Sequence, residues 1–123
     1  MRLTIARDSL LLSLAIIATA QAAPTVERHC GWYQNPGNAT ATLSDHSGVW
    51  ALPADSAKPI FRAGQWVPSS ANNAYGYGCA CVSGNTDATA HSLTRIKRVN
   101  AQTLATCRAD AALHEPTNRV ATQ

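Results

Sequence analysis

Two cysteines separated by a single residue, Cys79 and Cys81, constrain this chain more than any other feature. In an extended segment their Cα atoms lie two strand steps apart, roughly 6.6 Å, which is near the upper limit of the distance that a disulfide usually spans. Their side chains also point to the same face of the strand. Each cysteine therefore needs a different partner, and the sequence offers two, Cys30 and Cys107.

The N-terminal segment predicts the compartment in which these cysteines fold. A short basic lead precedes an apolar run from Leu10 to Ala20, and Ala20-Gln21-Ala22 supplies the small residues that a signal peptidase reads. We expect residues 1–22 to be a signal peptide, with cleavage after Ala20 as the close alternative. The run is about half of the roughly 20 residues that a membrane-spanning helix needs, which disfavours a retained anchor. The sequence thus predicts a periplasmic or secreted protein without a membrane anchor after cleavage.

In an oxidising compartment, an even number of cysteines indicates disulfide bonds. The two pairings that we expect both join Cys30 and Cys107 to the Cys79–Cys81 segment, and the sequence leaves open which of the two forms. Each bond would contribute on the order of 3.5–4 kcal/mol to stability in the chain-entropy description. A zinc or copper site on the same sulfur atoms is the alternative, but one pair with one intervening residue lacks the spacing of structural zinc sites. We expect no metal and no cofactor.

The remaining chain is long enough for one domain with a modest core, at residues 23–115, followed by a flexible tail at 116–123. The net charge of the whole chain is +3, and this weak balance disfavours nucleic acid as a partner. Arg95, Lys97 and Arg98 form a basic cluster. We interpret the cluster as the solvated outer face of a strand, with a patch that binds an anionic ligand as the alternative.

Turn-forming residues divide the domain into short segments that resemble strands. Loops with Gly, Asn and Asp join four of these segments into two hairpins, at 39–43 with 49–52 and at 74–82 with 91–99. We expect a left-handed backbone at Gly48, which ends the first of these loops. The stretch between the hairpins, residues 53–73, has no clear period. We interpret it as a loop fastened by its own aromatic residues, with a recognition loop as the alternative.

After Asn100 the pattern changes from strand to helix. Leu104, Cys107 and Ala111 lie at helical spacing, and Pro116 supplies a stop, which predicts one helix near 102–114. The predicted fold is therefore mainly β (α+β): a small antiparallel sheet of about four to six strands with one short C-terminal helix, stapled by two disulfides.

The strand that carries the two central cysteines also carries aromatic residues. Tyr75 and Tyr77 share the face of the cysteines, and the glycines between them leave the other face nearly bare. We expect bulky groups from the helix or the long loop to cover that bare face, and Phe61 and Trp66 to fasten the loop to the sheet. The alternative is a shallow groove, in which Trp66, Tyr75 and Tyr77 are the candidate binding surface.

The sequence contains no recognisable catalytic motif. Asp45-His46-Ser47 has the residue types of a catalytic triad, but adjacent residues on a tight turn cannot form the chain from nucleophile to base to acid. The four histidines are scattered and are expected at the surface: His29, His46, His91 and His114. We predict no catalytic residue and no metal ligand, and we do not expect an enzyme; a weak hydrolase is a distant alternative.

Several short motifs occur in an order that resembles one protein family. They are Cys30-Gly31-Trp32, Asn35-Pro36-Gly37-Asn38, Leu43-Ser44-Asp45, Gly48-Val49-Trp50, Tyr75-Gly76-Tyr77-Gly78-Cys79-Ala80-Cys81, and Cys107-Arg108. Together they resemble a family of small exported bacterial proteins catalogued only as a domain of unknown function, DUF4087. The resemblance implies a small periplasmic domain with four paired cysteines. It implies no activity and therefore no catalytic residues.

Two classes of function are compatible with these features. The first, which we predict, is a non-enzymatic binding module, such as an inhibitor or immunity-type partner of an envelope enzyme, because a rigid disulfide-bonded scaffold presents a loop at low entropic cost. The second is a metal- or redox-handling protein that uses Cys79 and Cys81 with His29 or Cys30. The sequence does not identify the partner protein or the oligomeric state.

Overall fold

The computed structural model describes residues 14–17, 25–69 and 74–117. Most of the predicted signal peptide (residues 1–22), residues 70–73 of the long loop and residues 118–123 of the predicted tail lie outside these ranges. The described part contains six strands and one helix: β1 (Val26–Asn35), β2 (Thr42–Asp45), β3 (Gly48–Ala51), β4 (Trp66–Pro68), β5 (Gly76–Asp87), β6 (Ser92–Gln102) and α1 (Leu104–Arg108). The mainly β fold with one short helix and two disulfides is confirmed.

The six strands form one sheet in the order β1-β2-β3-β6-β5-β4, and β1 also pairs with β5. Five of the strands, β1, β2, β3, β6 and β5, therefore form a closed ring, which we refer to as the barrel. β5 has the most extensive pairing in the ring, because it pairs antiparallel with β1 from Gly76 to Asn85 and with β6 from Cys79 to Asp87. The shortest strand pairing in the ring is that between β3 and β6, which are parallel and share the single pair Ala51↔Ser92.

Alternation along the strands separates the apolar residues into two clusters. The interior cluster draws on all five strands of the ring and contains Tyr33, Leu43, Trp50, Leu52, Ala80, Val82 and Leu93. The other cluster lies on the opposite face of β1 and β5, where α1 and the segment after it cover Trp32, Tyr77 and Cys79. Both faces of β5 are thus buried, which explains its long run of buried residues.

Both predicted hairpins are present. Gly48, at the turn between β2 and β3, has a φ of 128°, which confirms the positive φ predicted for it. β5 and β6 form the second hairpin, which is interrupted by a bulge where Gly84 faces the segment 95–97. Arg95 has φ 48° at this bulge, so the strand alternation expected for Arg95 and Lys97 is broken there.

The helix is shorter than predicted. It spans only Leu104–Arg108, with the Thr103 hydroxyl accepting a hydrogen bond from the Thr106 N–H at its start. Beyond it, the Asp110 carboxylate accepts a hydrogen bond from the Ala112 N–H at 3.0 Å, and the chain forms a turn. This local side-chain bond competes with helical backbone bonding, so the helical spacing that extends to residue 111 overestimates the helix. Within the described ranges, no helix is long and apolar enough to cross a membrane.

Candidate functional site

The four cysteines form two disulfides that meet on β5. Cys81 bonds Cys30 on β1, directly opposite, with 4.0 Å between the Cα atoms. Cys79 bonds Cys107 in α1, with 5.8 Å between the Cα atoms. The structure thereby assigns the pairing that the sequence left open. No cysteine in the described ranges is free, so none of the four sulfur atoms is present as a thiolate for the metal or redox chemistry considered above.

The three aromatic residues of the sequence-based binding surface do not form one groove. Tyr77 is 5% exposed and packs edge-on against Trp32, with 5.3 Å between ring centroids. Trp66 lies on the other face of the sheet, opposite Gly78. Tyr75 lies against the turn at Gly37. Trp66 lines a cavity of about 320 Å³ with Tyr33 and Phe61, but neither Tyr75 nor Tyr77 lines it.

The long loop instead covers the bare glycine face of β5, as expected. Phe61 lies over Gly78, where a Cβ atom would come within 2.5 Å of the Phe61 ring. The Phe61 ring contacts those of Trp66 and Tyr33, with centroid distances of 4.9 and 6.0 Å. Trp66 belongs to β4, a three-residue strand that the sequence analysis missed. These contacts fasten both halves of the loop to the barrel.

Fastening the loop from one side leaves its other side presented to solvent. Pro59 is buried and Phe61 is partly buried, whereas the alternating residues Lys58, Ile60 and Arg62 are exposed. Ile60 is 88% exposed, although it is a large apolar residue. The backbone beside it is held by two hydrogen bonds between Arg62 and Gln65, at 2.8 and 3.0 Å. The loop therefore presents one apolar side chain between two cations on a braced backbone.

A cavity of about 490 Å³ lies between this loop and β6. We refer to it as the cationic cleft. Its volume falls within the roughly 300–1,000 Å³ of typical ligand sites. It is lined by Ala57, Lys58, Ile60, Arg62 and Gln65 from the loop and by Ile96, Lys97, Arg98, Val99, Asn100 and Ala101 from β6.

The charge of the cleft is entirely positive. Lys58, Arg62, Lys97 and Arg98 line it, and no lining residue is acidic. None of these four cations forms an ion pair with a residue in the described ranges. Several cations brought together without counter-charges favour an anionic ligand. The sequence indicated only the β6 part of this site, as the less favoured alternative for the basic cluster near residue 97. It did not indicate Lys58 and Arg62, because only tertiary packing brings the loop beside β6.

A second polar cluster lies at one end of the barrel, and it corrects the expectation that all histidines are at the surface. His29 is only 8% exposed. Its Nδ1 lies 2.7 Å from an Asp45 carboxylate oxygen and its Nε2 lies 3.0 Å from the Thr86 hydroxyl. The rings of His29 and His91 both lie close to the Trp50 ring, with centroid distances of 4.8 and 4.0 Å.

Electrostatics show that Asp45 is held as a carboxylate in this cluster. Burial alone would raise its pKa, but hydrogen bonds from Ser47, His29 and Trp50 outweigh the burial and lower the pKa from 3.8 to about 2. Thr86, His29 and Asp45 lie in the order of a catalytic triad, yet the Thr86 hydroxyl donates to Glu27 at 2.8 Å. The hydrogen bonds of His29 and Asp45 instead join β1, the β2–β3 turn and β5. We therefore assign the cluster a structural role.

Comparison with known proteins identifies one relationship. A family model described as "Protein of unknown function (DUF4087)" matches residues 24–114, which include all the strands and the helix. The match confirms the resemblance drawn from the motifs around the cysteines. No curated protein and no solved structure gives a significant match.

Proposed function

The chain belongs to the DUF4087 family, and we propose that it is an exported, non-enzymatic binding module, such as an inhibitor or immunity-type partner of an envelope enzyme. The observation that carries this proposal is the cationic cleft, in which four unpaired cations surround an exposed isoleucine. A site of this kind suits a partner surface that is acidic and has an apolar pocket. The loop wall is already ordered by its aromatic contacts, so little entropy would be lost when a partner binds.

Two features support export. Both pairs of cysteines are bonded, and disulfides form and persist mainly in oxidising compartments such as the periplasm. The basic lead and the apolar run from Leu10 to Ala20 are typical of a signal peptide. A protein in that compartment meets envelope proteins as its partners.

The chemistry of the cleft supports binding rather than catalysis. Its lining contains no histidine, carboxylate, thiol or hydroxyl side chain, so lysine is the only one of the usual general acids, bases and nucleophiles among its walls. An inhibitor needs only a complementary surface. Glycan hydrolases of the cell wall use paired carboxylates in a cleft, and Lys58 and Arg62 beside Ile60 offer complementary charge to such a site.

Affinity capture from envelope extracts of the source organism tests the proposal. The disulfide-bonded protein is compared with Arg98→Glu, which reverses a charge inside the cleft, and with Arg28→Glu as the matched control. Arg28 and Arg98 are both exposed arginines that pair with Ser83, from opposite sides of β5, but only Arg98 lines the cleft. We expect the wild type and Arg28→Glu to retain the same partner and Arg98→Glu to lose it.

The captured partner is then assayed for activity with and without added protein. Inhibition by the wild type and by Arg28→Glu, but not by Arg98→Glu, agrees with the proposal. Equal capture by all three proteins, or no protein retained by the wild type, contradicts it.

A further inference from the structure

β6 has one paired edge and one open edge. Its inner edge pairs with β5 in unbroken register from Arg98 to Gln102. On its other edge, β3 pairs only with Ser92, and no other described residue forms a backbone hydrogen bond there. Every second residue of an antiparallel strand directs its N–H and C=O groups away from its partner. The segment 93–102 therefore has backbone donors and acceptors without protein partners in the described ranges.

The cationic cleft lies along this open edge. Six consecutive residues of β6, Ile96 to Ala101, line it. A cleft over one face of a strand would be lined by every second residue, because side chains alternate between the faces. The four consecutive residues from Arg98 to Ala101, which lie beyond the bulge in regular register, all line the cleft. This uninterrupted run instead places the cleft beside the strand, where an added strand would lie about 4.8 Å away.

The charges along the edge select what can pair there. Lys97 and Arg98 lie on β6 itself, and Lys58 and Arg62 lie on the facing loop. Like charges on opposed strands are destabilising, so a second copy of this edge is repelled, as expected for a protected edge strand. An extended segment with carboxylates would be attracted by the same four cations.

We infer that the cationic cleft binds an extended acidic peptide segment of the partner by β-strand addition to the open edge of β6. The backbone of the segment pairs with β6, its carboxylates contact Lys97 and Arg98 together with Lys58 and Arg62, and one of its apolar side chains packs on Ile60. Backbone pairing supplies the affinity and the alternating side chains supply the selectivity. The inference rests on the proposed binding function and adds the chemistry of the ligand and the geometry of its recognition.

Amide hydrogen exchange measured by NMR tests the mode of binding. The probe is a synthetic peptide of eight alternating valine and glutamate residues, added to the disulfide-bonded protein. At free peptide ten times its Kd, we expect exchange at alternate amides of the segment 96–101 to slow by about tenfold, because only the unbound fraction exchanges freely. The β6 amides that bond β5 should change little.

Two control peptides separate strand addition from charge attraction. An analogue with every second amide N-methylated on its pairing edge keeps the charges but cannot donate to β6, and it should bind at least about tenfold more weakly. A peptide with lysine in place of glutamate should not bind. Arg98→Glu should weaken binding of the acidic peptide, whereas Arg28→Glu should not.

Three results would overturn strand addition. They are no binding of the acidic peptide, equal affinity for its N-methylated analogue, or protection of the β6 edge that rises with protein concentration in the absence of peptide, which would assign the edge to self-association. The proposed binding function is tested separately by envelope capture. If capture still depends on Arg98 while the peptide fails, the function stands and only the strand-addition mode is rejected.

Discussion

Asp45 shows how a single side chain organises one end of the barrel. Its carboxylate accepts hydrogen bonds from the backbone and hydroxyl of Ser47, from the Trp50 indole and from His29. A buried charge is costly unless such partners compensate for it. The four bonds join β1, the β2–β3 turn and β3, so this residue couples three elements that the core alone would hold less precisely.

The lowered pKa of Asp45 predicts acid sensitivity. Because the pKa falls from 3.8 to about 2 on folding, the carboxylate contributes stability that is fully present above about pH 4 and is lost as the pH falls toward 2. The contribution is about 2 kcal/mol. Asp45→Asn should lower the free energy of unfolding near neutral pH by about that amount and flatten its decline between pH 4 and 2. Urea unfolding at a series of pH values measures both effects.

Asp55→Asn provides the control, because Asp55 is exposed and its side chain forms no hydrogen bond with another residue in the described part of the chain. It should leave the acid profile of the wild type unchanged. Equal declines for wild type and Asp45→Asn below pH 4 would show that the carboxylate does not contribute as described.

At the scale of elements, the cysteine pattern was the strongest predictor. Cys79 and Cys81 cannot readily bond each other, and this fact alone anticipated that β5 would be tied to one element on each side. The positive φ predicted for Gly48 at the end of the first hairpin loop is likewise confirmed. The helix was overestimated because apolar spacing does not encode the local hydrogen bond of Asp110. β4 was missed because three residues ending in Pro68 carry no readable period.

The site was less predictable than the elements, for a related reason. His29 and Asp45 are 16 residues apart, and Arg62 is farther still from Arg98 in sequence. Neither pair is recognisable until the barrel closes. The basic residues near 97 were correctly expected to be exposed, but their role as one wall of a cleft depends on where the loop around Ile60 lies.

The two disulfides should differ in how readily they are reduced. Cys30 is exposed, whereas Cys79 and Cys107 are buried under α1 and its neighbours, and exchange requires access of the attacking thiolate to a sulfur atom. Cys30–Cys81 should therefore be reduced first under mild conditions. Partial reduction followed by alkylation and peptide mass spectrometry identifies the order, with the second disulfide as the internal control. Earlier labelling of Cys79 and Cys107 would contradict the described burial.

At the scale of the whole molecule, ring closure leaves most strand edges paired and one long edge open. Within the described ranges, β6 has the longest unpaired edge, and that edge faces the braced loop across the cationic cleft. The disulfides fix β1 and α1 to β5, and β5 in turn pairs with the edge of β6 that lies opposite its open edge. The scaffold thus holds an open edge in a fixed geometry, as recognition by strand addition requires.

The most direct test is an NOE map of isotope-labelled, disulfide-bonded protein with the unlabelled valine–glutamate peptide. Strand addition predicts NOEs between backbone protons of the peptide and backbone protons of β6 from Arg98 to Ala101, in the regular pattern of paired strands. NOEs confined to the side chains of Lys97 and Arg98, with none to the β6 backbone, would contradict it.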